Sequence, residues 1–346
     1  MSKIKFAIAG CGHIGKRHAE MVSRHPEAEL AALCDVLPKE KLGLEKFSAP
    51  FFPSLDEMLK SVPEIEVVNI CTPNGLHAPL SIKALEAKKH VVCEKPMALS
   101  KAGCENMIHK SMQVQKNIFV VKQNRYSPPS VWIKELIDKK MLGDIYLVQL
   151  NCYWNRDERY YKKGSWKGTK ELDGGVLFTQ FSHFIDILYW LFGDIKDIQA
   201  KFKNFNHKTS TEFDDDSGII SFNFQSGGMG CVQYSTSVWD KNMESSMAVV
   251  GSKGTVKIGG QYMDKVEYCH IENYTMPNLA ETNPANDYGG YKGSANNHPL
   301  MIQNVIDTLK GRNTITANAL EGMKVVEIIE KIYSLKHSYE HLQKTF

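Results

Sequence analysis

The sequence predicts an α/β protein of two domains: a doubly wound parallel sheet, then a second α/β domain with a large, mostly antiparallel open sheet. Three observations carry this. Over residues 1–122 short β-branched runs alternate with helical stretches, the pattern of strand–helix–strand crossovers. From Ile145 the apolar runs lengthen and alternate residue by residue, as strands with one covered face do. The length of 346 residues suits two domains better than one, at roughly 100–200 residues each. The boundary is placed between residues 122 and 123, with the second domain running over 123–346.

Element by element, Ile4-Lys5-Phe6-Ala7-Ile8-Ala9 is the first strand and His13 to about Arg24 the first helix. Glu29–Cys34 is the second strand. Asp56–Leu59 and Leu80–Ala87 read as helices, and Glu66–Cys71 and His90–Cys93 as buried strands. Ser100 can cap a helix to about Met112, and Ile118–Val121 ends the first domain's strands. Pro128-Pro129 opens a helix to about Lys139, closed by Gly143. Strands follow at Tyr146–Trp154, Ser217–Phe224, Met229–Ser237 and Met247–Val250, with Gly227-Gly228 as a hairpin turn. A helix from about Gly175 to Phe192 interrupts them, and another, about Leu320 to Leu335, follows. Met263 to Pro299 is polar and reads as a surface loop, with a lid or a subunit contact as alternatives.

Bulk composition excludes several classes. A net charge of +3 with no long basic block disfavours nucleic acid or an anionic membrane as the main partner. No stretch approaches the ~20 apolar residues of a membrane span. The eight cysteines are scattered, without Cys-x-x-Cys or Cys/His metal spacing, so reduced buried thiols in a cytoplasmic protein are expected, and no metal.

The segment Gly10-Cys11-Gly12-His13-Ile14-Gly15 lies between the first strand and the first helix. In such a turn the first glycine permits the bend, the second clears space for phosphates and the third lets helix and strand pack closely. The helix N-terminus then offers free N–H groups to a pyrophosphate. Asp35 ends the next strand, 35 − 15 = 20 residues past the last glycine, where a carboxylate accepts hydrogen bonds from ribose hydroxyls. Val36 follows rather than an arginine, so the pattern favours NAD over NADP. Polar groups stand at three further strand ends: Thr72, Asn74 and His77, then Glu94-Lys95-Pro96, then Gln123-Asn124-Arg125. A lysine leaving a buried strand beside a cofactor is a candidate for chemistry. Pro96 restricts its backbone and permits a cis Lys95–Pro96 bond. In the second domain Gly174-Gly175 precedes Thr179, His183 and Asp186, whose spacings place them on one helix face.

This set of residues resembles the Gfo/Idh/MocA oxidoreductase family over essentially the whole chain. The resemblance implies a Rossmann domain followed by an α/β domain whose open sheet builds homodimers or homotetramers. It implies that Lys95 and His183 are catalytic, serving the reacting hydroxyl, and that NAD is the cofactor. Gly10, Gly12, His13, Ile14, Asp35, Thr72, Asn74, His77, Glu94, Lys95, Gln123 and Trp166 are then expected to bind NAD. One departure is Thr179, where many sugar and inositol dehydrogenases of the family carry an aspartate.

A narrower resemblance rests on Trp154-Asn155-Arg156, Tyr160-Tyr161, Trp166-Lys167-Gly168-Thr169, Asp173-Gly174-Gly175, Gln180 and Ser182-His183. These look like the branch that oxidises UDP-N-acetylglucosaminuronic acid at C3 for surface polysaccharide (lipopolysaccharide) synthesis, a branch that also tends to lack the aspartate. Lys95, Arg125, Trp154, Arg156, Tyr160, Thr179, Gln180 and His183 are the expected substrate residues. Aromatics interleaved with cations suit a substrate bearing a uronate and a pyrophosphate. Another sugar or inositol dehydrogenase is the nearer alternative, and a non-catalytic dinucleotide-sensing regulator the remoter one.

Overall fold

The computed structural model describes residues 2–336. Two compact units divide it: Met1–Lys122 with His298–Val326, and Gln123–Asn297 with the segment that begins at Glu327. The first unit alternates strand and helix as β1 (Ile4–Ala9), α1 (His13–Arg24), β2 (Ala28–Cys34), α2 (Lys39–Leu42), β3 (Phe51–Phe52), α3 (Leu55–Ser61), β4 (Val67–Ile70), α4 (His77–Glu86), β5 (His90–Cys93), α5 (Lys101–Val114) and β6 (Ile118–Val120). Its strands are all parallel, in the order β3-β2-β1-β4-β5-β6. That order reverses beside β1, so the strand ends there open a crevice of the kind that binds dinucleotides. Helices cover both faces of such a sheet, and β4 is accordingly buried at every residue. Helix α1 buries Gly15, His18, Ala19 and Val22, the i, i+3, i+4, i+7 stripe of an amphipathic helix. Ser54 and Ser100 each accept a backbone N–H at the start of α3 and α5, removing one orphan donor apiece.

The second unit carries α6 (Pro128–Asp138), β7 (Ile145–Tyr153), α7 (Ser182–Phe192), β8 (Ile195–Lys203), β9 (Ser217–Phe224), β10 (Met229–Ser235), β11 (Glu244–Gly251), β12 (Gly254–Gly259), β13 (Lys265–Ile271), β14 (Ala285–Asp287) and β15 (Lys292–Ala295). Seven strands form one sheet in the order β13-β12-β11-β7-β10-β9-β8, antiparallel throughout except for β7 with β10. Burial alternates along β7, β9 and β10, because one face packs inward and the other is open. Two helices follow, α8 (His298–Leu309) and α9 (Ala319–Ser334), and the unit boundary falls within α9.

Several expectations need adjustment. The expected second domain runs over 123–346, and within that span residues 298–326 group with the first unit. The polar stretch read as a loop holds β13, the β14–β15 hairpin and the start of α8. Its residues pair as strands without an apolar alternation that would announce them, and the burial of β13 is correspondingly shallow. Gly143 does not close α6; the helix stops at Asp138, Lys140 takes the left-handed turn, and Gly143 lies in the following bend. The stretch from Gly175 to Phe192 is not one regular helix, since Leu177–Phe181 forms a π-turn ahead of α7. A wider turn inserts a residue into the register, so Thr179 leaves the regular face shared by His183 and Asp186. No helix among the described residues is long and apolar enough to cross a membrane.

Candidate active site

The glycine turn is built as its three positions require. Gly10 has φ +88°, and a Cβ there would lie 2.8 Å from the backbone of Cys71 and Thr72, so the loop after β4 presses directly on the turn. A Cβ on Gly15 would come within 1.8 Å of the Gly10 carbonyl oxygen. At Gly12 a Cβ would meet nothing within 4 Å, and no side chain caps α1 there. The second glycine thus leaves open space in front of an uncapped helix N-terminus, a cradle that fits a pyrophosphate. His13 and Ile14 form the first turn of α1 at this opening.

Asp35 directly follows β2 with its carboxylate held in place: Oδ2 accepts the Cys11 N–H at 2.6 Å and Oδ1 the Leu37 N–H at 2.9 Å. Each oxygen keeps a further lone pair for a ribose hydroxyl. The Thr72 hydroxyl is buried without a protein partner, a polar group that a bound dinucleotide could satisfy. These features fit NAD.

Glu94, Lys95 and Pro96 leave β5 through a cis Lys95–Pro96 bond. Glu94 is buried, and both its oxygens are engaged. Oε1 lies 3.0 Å from His18 Nε2 and 3.5 Å from His298 Nε2, and Oε2 accepts the Lys95 N–H at 3.1 Å. Burial alone would raise the Glu94 pKa, but the hydrogen bonds from His18 and His298 outweigh it and hold the carboxyl well below its ordinary range. Asn69 Nδ2 lies 2.9 Å from His18 Nδ1, so that ring is held at both nitrogens. The donor atoms of His18, Glu94 and His298 lie within 4.8 Å of one another, a spacing a metal could use. The 3.0 Å His18–Glu94 hydrogen bond accounts for it without an ion. His77 ties two strand ends together, with Nδ1 2.6 Å from the Pro96 carbonyl and Nε2 2.9 Å from that of Thr72. Burial pushes its pKa down against the pull of those carbonyls. Asn74 is buried at the start of the short 3₁₀ turn before α4.

In the second unit the structure brings Gln123 and His183 together, with Nε2 to Nε2 at 3.5 Å. His183 is buried in the first turn of α7. One turn on, Asp186 receives Arg125 bidentately at 2.9 and 2.8 Å, both side chains being buried. That pairing commits the Arg125 guanidinium to the protein, where the sequence had suggested substrate. Thr179 donates to the Asp173 carboxylate, which also accepts the Gly168 N–H at 2.8 Å. A carboxylate therefore stands next to Thr179 even though position 179 itself has none.

Trp154, Arg156, Tyr160 and Gln180 form one cluster. Arg156 Nε donates to Gln180 Oε1 at 2.6 Å, and Gln180 Nε2 donates to the Tyr160 hydroxyl at 2.6 Å. The guanidinium lies over the rings of Trp154, Tyr160 and Tyr291. Trp154 Nε1 donates to Ser245 at 2.8 Å. All four side chains are buried and spend their polar atoms on one another or on neighbouring protein groups. Trp166, expected at the cofactor, is half-buried in the loop that precedes Asp173.

Sequence reasoning missed His18 and His298. His18 carries a usable signal, since it lies three residues past Gly15 on the buried stripe of α1. His298 carries none, because only the return of α8 to the first unit brings it to Glu94.

Two family matches cover most of the chain. Residues 4–122 match the oxidoreductase family with NAD-binding Rossmann fold, and residues 131–257 match the GFO/IDH/MocA C-terminal domain. Among solved structures, the WlbA dehydrogenase from Chromobacterium violaceum, in complex with NADH and UDP-GlcNAcA, is 31% identical with a TM-score of 0.85, covering 96% of this chain and 93% of its own. Curated relatives include 2,7-anhydro-N-acetylneuraminate hydratase from Escherichia coli, 27% identical over 75% of this chain and 68% of that protein. Another is myo-inositol 2-dehydrogenase from Thermotoga maritima, 25% identical over 73% of this chain and 74% of that one. The chain belongs to the Gfo/Idh/MocA oxidoreductase family and is an NAD-dependent dehydrogenase of sugar or polyol hydroxyl groups.

Proposed function

We propose that this enzyme oxidises the C3 hydroxyl of UDP-N-acetylglucosaminuronic acid to a ketone, as a step in surface polysaccharide synthesis. The observation that carries the reading is the likeness, along 96% of the chain, to a dehydrogenase whose structure holds NADH and UDP-GlcNAcA. The Thr179–Asp173 pairing is consistent with it, because position 179 is a polar neutral residue rather than the aspartate of many inositol enzymes.

When bound, NAD⁺ supplies the acceptor for the hydride lost from C3. The residues manage the proton and the geometry. Lys95 is the general base: its amine takes the hydroxyl proton as the C3–O bond becomes a carbonyl. Glu94 fixes the Lys95 backbone through the 3.1 Å N–H contact, so the lysine starts from a defined position. His183, held near Gln123, hydrogen-bonds the same hydroxyl and orients it. The open face of the large sheet is the surface through which copies of the chain assemble into a dimer or tetramer.

NADH formation across UDP-sugars, free hexoses and inositols tests the substrate, and parallel reactions with a 2-oxoacid present to take the hydride from bound NADH are followed by the ketosugar and 2-hydroxyacid formed. Fastest turnover with UDP-GlcNAcA is expected. Turnover with inositol and none with UDP-sugars would replace the reading by a polyol dehydrogenase, and NADH binding without any turnover would point to a sensor. Lys95→Met is expected to lower kcat by roughly a thousandfold or more while NADH affinity stays within a few-fold.

A further inference from the structure

Two cations share the aromatic cluster of the second unit, and neither is paired with an acid. Arg156 is buried, and the groups it bonds are all neutral: Gln180 Oε1, the Asn155 carbonyl, Asn242 Oδ1 and the Lys292 carbonyl. Four of its five N–H donors are committed in this way. Lys167 Nζ lies 3.9 Å from the centre of the Tyr160 ring and 4.6 Å from that of Tyr291, and it donates to the Tyr291 hydroxyl at 2.9 Å. The same two rings hold the Arg156 guanidinium at 5.2 and 5.1 Å. Asp173 is the acid that acts on Lys167, but its carboxylate is engaged by Gly168 and Thr179.

Ring faces lower the cost of burying a cation but do not neutralise it. Two positive charges sharing two rings, with no ion-pair partner, leave a field that an anion would satisfy. The two cations differ in what they can still offer. Arg156 is enclosed and nearly saturated, whereas Lys167 is only partly buried and retains two of its three donors.

We propose that Lys167 is the contact for the substrate's anionic group, a carboxylate or pyrophosphate oxygen, with Arg156 behind it as a fixed charge. This deepens the reading of the substrate as a nucleotide uronate, and it rests on that reading. It moves anion recognition from Arg125, which is spent on Asp186, and from Arg156, which is enclosed, to a residue that can reach a ligand. Burial, and then the charge of Arg156, push the Lys167 pKa down to about 8, as expected for a cation lacking its counter-ion.

The test titrates NADH-loaded enzyme, wild type and Lys167→Met, with UDP, UDP-GlcNAc, UDP-GlcNAcA, D-glucuronate and inorganic pyrophosphate, following binding by calorimetry. Lys167→Gln serves as a second variant, and melting curves identify either protein if it fails to fold. Affinity for UDP-GlcNAcA is expected to fall by roughly ten- to a hundredfold, the range of one lost charged hydrogen bond. If the carboxylate is the partner, UDP-GlcNAcA and glucuronate weaken while UDP and UDP-GlcNAc do not. If the pyrophosphate is the partner, UDP, both UDP-sugars and inorganic pyrophosphate weaken together. Equal binding of every anion by wild type and a folded variant overturns the proposal, as does wild type that binds none of them. Lys167-dependent binding of glucuronate or pyrophosphate without any oxidation of UDP-GlcNAcA would keep the anion contact and discard the substrate.

Discussion

Glu94 is where buried electrostatics meets the lysine of the site. Its carboxylate receives His18 and His298 on one oxygen and the Lys95 N–H on the other. Removing it leaves two buried imidazoles and a backbone donor facing each other, the expensive kind of deletion, since partners stay behind without compensation. Glu94→Ala is therefore expected to cost about 1.5–3 kcal/mol at neutral pH, the range for hydrogen bonds lost from a charged group, read as a lower urea midpoint. The sign with pH follows from the depressed carboxyl: the stabilisation is complete above the ordinary carboxylate range and is lost as acid protonates Glu94. An unchanged midpoint would show that the network stabilises nothing. Residue-scale chemistry was unevenly legible in the sequence. The glycines and Asp35 announce themselves because a backbone approach to phosphate restricts residue type and spacing. Arg125 and Arg156 are expected at the substrate, and a sequence that shows their positive charge does not show the Asp186 carboxylate or the Gln180 amide that each one also bonds.

Elements were legible where burial imposes a period. Strands β1, β5 and β9 and helices α1, α5 and α6 stand close to their expected bounds, because each is strongly apolar, capped or opened by proline. The sequence reading lacks α2, β3, β8, β12, β13, β14, β15 and α8. The edge strand β8 reads Ile195-Lys196-Asp197-Ile198-Gln199-Ala200-Lys201-Phe202-Lys203, too polar to stand out, and the register shift between Lys196 and Gln199 breaks its alternation. The π-turn at Leu177–Phe181 was hidden for another reason, since an apolar run fits either helix type. On the large sheet, Leu147 pairs with Met229, and Ile219 lies on the same open face opposite Gln233, four residues along β10 from Met229. All three are exposed. Exposed apolar side chains on an open sheet face are a surface that association would cover. Met229→Asp is expected to shift the mass measured by light scattering from an oligomer to the monomer. A wild-type protein that is already monomeric would remove the assembly proposal.

For the whole molecule, the division of labour predicted from sequence has a physical basis. A parallel sheet whose strand order reverses beside β1 fixes the dinucleotide site in the first unit. A broad, mostly antiparallel sheet in the second unit supports α7 and the aromatic cluster around Arg156. A long-range feature that no sequence pattern signals is the return of 298–326 to the first unit, which delivers His298 to Glu94. Contacts of that kind depend on where the chain travels rather than on any local period. In the proposed reaction the hydride leaves C3 of UDP-GlcNAcA, and deuterium tests this directly. With substrate labelled at C3 and NAD⁺ in excess, mass spectrometry of the nicotinamide product should show NADH carrying the deuterium, one mass unit heavier than with unlabelled substrate. Unlabelled NADH would place the oxidation at another carbon, and no NADH from this substrate would contradict UDP-GlcNAcA as the substrate.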